Sequence, residues 1–115
     1  MAISDVGLTR SVVIIAADIV DGRAGTGTTL PTPADTDLET VVVDTEFDVD
    51  VVTSNNTFSI THVIPSTDGN SNDLTEWQIR MNSEATQLSR VVTAPVTKTT
   101  SIDVTKITLF DLIGE

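Results

Sequence analysis

The stretch Gly22-Arg23-Ala24-Gly25-Thr26-Gly27-Thr28-Thr29 has the outline of a phosphate-cradling loop. That loop reads G-x-x-x-x-G-K-[ST] and opens a helix after a buried strand. Gly22, Gly27 and Thr29 fit, but Thr28 stands where the lysine should reach the β- and γ-phosphates. Pro31 and Pro33 follow closely, each lacking an N–H and resisting a long helix. The bland alternative, a tight loop with no phosphate, is the better reading.

The acids suggest cation chemistry next. Asp68, Asn70 and Asn72 match the first ligands of a calcium loop, with Glu76 nearby. The pattern then breaks, because Asp73 replaces the required Gly and Ile79 the bidentate Glu. Asp35, Asp37 and Glu39 form a second acidic cluster. Solvated loops explain both clusters without a specific ion. His62 is the only histidine, and the chain has no cysteine, so neither a catalytic triad nor a thiolate metal site has an anchor. Paired carboxylates alone could cleave sugars, yet one Trp, three Phe and no Tyr make a poor set of sugar platforms. His62 and Trp77 therefore read as packing residues. The triplet Asn55-Asn56-Thr57 fits the N-x-[ST] glycosylation acceptor, a match that is common by chance. The sequence supports no catalytic, cofactor-binding or metal-binding residue.

These residues must be carried by strands. From Val43 to Val51, the residues Val43, Thr45, Phe47, Val49 and Val51 alternate with Asp44, Glu46, Asp48 and Asp50. This period of two predicts one half-buried antiparallel strand with a wet acidic face. Phe58, Ile60, His62 and Ile64 share the face of a second strand, joined to the first by a turn at Ser54, Asn55 and Asn56. Residues 65–73 read as a polar loop. Residues 76–82 form a strand with Trp77, Ile79 and Met81 inward, and residues 88–93 and 99–110 supply further strands, with a break at Pro95. The apolar run Ser11–Val20 is too short to span a bilayer and poorly flanked for a signal peptide, and it reads as a core strand. Only residues 33–40 are expected to hold a short helical turn, capped by Asp35 or Thr36. The expectation is one all-β domain over residues 1–115, an antiparallel sandwich or barrel-like fold of about six to eight strands with little helix.

Charge narrows the partners. The 115 residues carry 17 acids and 6 Lys or Arg, a formal net charge of -11. Nucleic acid needs clustered cations, and an anionic membrane repels this chain, so neither is an expected partner. The hydrophobic content of 39% is enough to fold. Asp over Glu, Arg over Lys, and abundant Thr and Val suggest a salt-loving host, because at molar salt the screening length falls to about 3 Å.

The same loop also fits a different pattern. A strand, "GTGTT" at Gly25–Thr29, Pro31, and a "DT-x-L" element within Ala34–Thr40 resemble small structural proteins of tailed phages, of tail-fibre type. Further along, Glu76-Trp77-Gln78-Ile79-Arg80, then Leu88–Arg90, Ala94–Ser101 and Ile107–Phe110 follow that family's order. The chain departs at Gln78 and Arg80, where the family has Gly and Phe. The resemblance spans nearly the whole chain and implies a β-rich virion protein without enzymatic activity. It also implies a homotrimer, contacts with other capsid or tail proteins, possible contact with a host surface, and a place on the particle surface. Capsid decoration and a tail-fibre or baseplate component are the two expected locations. Gly25, Gly27, Thr28, Thr29 and Pro31 are then a structural or interface loop, the glycines allowing close approach of chains. The alternative is a cellular halophilic surface or carbohydrate-binding module, which would ordinarily carry a secretion signal that these N-terminal residues do not resemble.

Overall fold

The computed structural model describes residues 4–82 and 86–111. Seven strands follow one helix: α1 (Asp5–Asp18), β1 (Ile19–Gly25), β2 (Val41–Asp48), β3 (Asp50–Ser54), β4 (Thr57–Ile64), β5 (Asn72–Met81), β6 (Thr86–Lys98) and β7 (Val104–Asp111). They build two antiparallel sheets, one of order β2-β1-β5-β6 and one of order β3-β4-β7. The architecture is an all-β sandwich.

Two apolar groups lie between the sheets. Ala24, Ile64, Leu74, Trp77 and Val104 form one. Val12, Phe58, Ile60 and Ile79 form the other, with the Phe58 ring stacked on Phe110 at 4.9 Å. The expected inward face of β4 holds throughout: Phe58, Ile60, His62 and Ile64 are all buried. His62 sits over Gly22, where an added Cβ would lie 2.8 Å from the imidazole Cγ. Its Nε2 bonds the Thr45 carbonyl at 2.9 Å. Burial, only partly countered by that bond and by Asp21, holds the His62 pKa below its ordinary value. Trp77 is also core, its indole N–H donating to Thr93 Oγ1 at 2.9 Å.

Several expectations are corrected. Ser11–Val20 is not a core strand. Its first eight residues belong to α1, and β1 begins at Ile19. Ser4 caps the helix, its hydroxyl accepting the Gly7 N–H at 3.2 Å. Val12 and Ile15 share one helical face and pack with Phe58, Ile60 and Ile79 from both sheets. That packing overrides the strand preference of a β-branched run. Residues 33–40 hold turns and bends rather than a helix.

The predicted strand Val43–Val51 is two strands in different sheets, divided at Val49. Its acidic face is exposed as expected, but Val43 is 83% exposed rather than inward. The cause is a bulge: Gly22 pairs with Phe47 while Ala24 pairs with Val42, so β2 carries extra residues opposite β1. Thr45 fills the gap, its hydroxyl accepting the Ala24 N–H at 2.8 Å and lying within bonding distance of the Ala24 and Val42 carbonyls. Pro95 does not break its strand either. β6 runs through it by a second bulge, Leu74 pairing with Val96 and Glu76 with Val92. Proline is tolerated because β6 is an edge strand with one unpaired side. The last strand begins at Val104 rather than Thr99.

Candidate functional site

The chemistry-bearing residues converge on the outer face of the larger sheet. β1, β5 and β6 place Arg23, Gln78 and Arg90 in one row, since Arg23 pairs with Gln78 and Gln78 with Arg90. Glu76 stands two residues along β5 from Gln78, on the same face. A strand with one wet face would leave these groups in water. Instead Glu76 and Gln78 are buried, at 0% and 1% exposure, because the segment from Thr26 to Thr40 folds back over them.

Glu76 organises that segment. Its Oε2 accepts the N–H groups of Gly27 and Thr40, each at 2.8 Å. Its Oε1 accepts the Glu39 N–H at 2.8 Å and the Arg90 Nε at 2.9 Å. One carboxylate thus ties both ends of the loop to the sheet. The ends also bond each other, Thr26 N–H donating to the Thr40 carbonyl at 2.9 Å, and Thr75 Oγ1 donates to the Gly27 carbonyl at 2.7 Å. Burial alone would raise the Glu76 carboxyl. The Thr40, Arg90, Glu39 and Gly27 donors outweigh it and hold the group below the usual carboxylate range.

The acidic cluster of the loop is paired in the same way. Glu39 accepts the Thr29 hydroxyl and the Thr28 N–H, and these bonds lower its pKa. Asp35 accepts the Thr32 N–H at 2.9 Å, the main cause of its lowered pKa, and contacts Arg90 Nη1 at 3.2 Å. Asp37 pairs with Arg23 and accepts the Leu38 N–H and the Gln78 amide. Burial opposes these donors, but the net effect lowers its pKa too. Gln87 closes the network, accepting from Gln78 and donating to the Asp35 carbonyl. Arg90 Nη2 is the one buried side-chain polar atom without a partner among the described residues.

The loop residues singled out by sequence divide into two groups. Gly25 and Gly27 are buried at the seam, whereas Thr28, Thr29 and Pro31 are exposed. An added Cβ at Gly25 would lie 2.3 Å from the Thr40 carbonyl oxygen, and at Gly27 2.5 Å from Glu76 Oε2. Close approach is therefore the reason for both glycines, and it occurs within one chain. No left-handed φ is required at either, since Gly69 is the glycine with positive φ among the described residues.

The calcium-like side chains are bonded within the protein, Asp68 accepting the Thr67 hydroxyl and the Asn72 amide donating to the Asn70 carbonyl. Asn70 Oδ1 accepts from Lys98 Nζ at 3.0 Å and Glu76 is committed to the loop. No group of three or more His, Asp or Glu side chains able to hold a metal ion occurs among the described residues. Sequence reasoning marked Glu76, but missed Arg90 as its partner and missed Gln78 as the partner of Arg23, Asp37 and Gln87. The available signal was the recurrence of polar residues at alternate positions on a strand otherwise read as core.

No protein-family model, curated protein or solved structure matches this chain.

Proposed function

We propose that this chain is a non-enzymatic structural protein of a tailed-virus particle, a small sandwich displayed on the particle surface as capsid decoration or as a tail-fibre or baseplate component. The observation that carries this reading is the loop tied down by Glu76. Four bonds from within the protein converge on the one buried carboxylate of Glu76, three from backbone N–H groups and one from Arg90 Nε. Such a network rigidifies and specifies a shape. A surface module needs a fixed shape more than a reactive group. The exposed acids of β2 and β3, Asp44, Glu46, Asp48 and Asp50, suit a particle carried in brine.

Quantitative mass spectrometry of particles purified from the encoding virus tests the reading. Hundreds of copies per particle support decoration, and a few to a few dozen support the tail. Absence from particles, with recovery in a cell-envelope fraction instead, overturns it.

A further inference from the structure

The two sheets have four edges, at β2, β6, β3 and β7. An exposed edge invites pairing with another chain, and proteins block it with bulges, proline, charge, short strands or covering elements. Three edges here are blocked. β2 carries a bulge and the exposed acids Asp44, Glu46 and Asp48. β6 carries a bulge and Pro95. β3 is five residues long, with α1 packed against it.

β7 has neither a bulge nor a proline. It is eight residues long, and its register with β4 is unbroken from Val104 to Asp111. Its outward side chains are Thr105, Ile107 and Leu109 before Asp111, with Ile107 62% and Leu109 70% exposed. Its single cation, Lys106, is on the opposite face and donates to the Ile107 carbonyl. Beyond β7, the outer face of this sheet continues uncharged through Ser59, Thr61 and Val63 to Val52, with Asp50 and Asp111 only at its margins.

We propose that the free edge of β7 pairs antiparallel with the β7 edge of a second copy of this chain, joining two three-stranded sheets into one of six strands. For a second copy, charge favours this edge over β2. Each chain carries -11, and a twofold contact through β2 would set carboxylates against their own kind. The β7 edge is self-complementary. In the register that places Thr108 opposite Thr108 of the second copy, each Ile107 faces the other chain's Leu109, so the apolar pair is made twice about one twofold axis. The proposal goes beyond the virion reading and does not depend on it. It departs from the homotrimer that the resemblance implies, because pairing of identical edges closes at two.

Sedimentation equilibrium of the full chain at molar salt tests it, together with two charge-matched variants. The expected species is a dimer, weakened roughly tenfold or more by Ile107→Glu, which removes the apolar pair with Leu109 and sets a desolvated, unpaired carboxylate in its place. Val43→Glu adds the same charge on β2 and leaves dimerisation unchanged. Thr108→Cys, in a chain with no other cysteine, forms a disulfide-linked dimer under mild oxidation. A monomer at all concentrations, a trimer, or a dimer equally affected by both Glu variants overturns the proposal.

Discussion

Glu76 and Arg90 meet on neighbouring strands at 2.9 Å, both sealed beneath a loop that is remote from them in sequence. Arg90 charge-pairs with Glu76, and the remaining Glu76 lone pairs bind the backbone of that loop. A buried ion pair of this kind costs desolvation, and it becomes favourable only when its other lone pairs are satisfied. Here backbone N–H groups of the loop satisfy those of Glu76, while Arg90 Nη2 is left without a partner among the described residues.

Replacing Glu76 by Gln keeps the shape but removes the charge that Arg90 requires. The expected loss of stability is about 3–5 kcal/mol in urea denaturation. Asp48→Asn, on the exposed acidic face of β2, changes stability by under about 0.5 kcal/mol. Equal effects from the two substitutions would refute the role given to Glu76.

Gly25 and Gly27 are predicted to resist any larger side chain. Valine at either position meets backbone or carboxylate atoms inside 3 Å. The expected outcome is release of the loop: limited proteolysis cuts between Thr28 and Pro33 in Gly27→Val and spares the parent protein under the same conditions. Resistance equal to the parent would show that the seam does not hold the loop.

Acid should act in two stages. The His62 pKa is lowered, chiefly by burial. Its contribution is complete above the unfolded value of about 6.5 and is lost as pH falls below it, because the unfolded chain binds the proton more readily. Glu76, Asp37, Asp35 and Glu39 are also lowered. Their contribution is complete above the ordinary carboxylate values of about 4 and is lost below them. Urea midpoints measured from pH 8 to pH 3 should fall gently below about 6.5 and steeply below about 4. The upper stage should vanish in His62→Gln, and its survival there would assign it to another group.

The β-rich class was legible because alternation is local. Phe58, Ile60, His62 and Ile64 face inward on β4, and Asp44, Glu46, Asp48 and Asp50 remain wet, as a period of two requires. The turn at Asn55 was legible for a similar reason, since asparagine tolerates the left-handed φ of 53° that the β3–β4 hairpin adopts there.

Other features depend on partners distant in the chain. The run after Ser11 is β-branched and suits a strand, but its packing against Phe58 and Ile79 makes it a helix. Pro95 is a strand breaker only where both sides of a strand are paired, and sheet order leaves one side of β6 free. Composition and periodicity alone thus set the fold class, the acidic surface and the turn at Asn55. Tertiary structure alone decided that Glu76 is buried, that Arg90 answers it, and that Gly27 must be small. Burial and pairing are properties of what covers a residue, and here the cover arrives from 36 to 49 positions away in the chain.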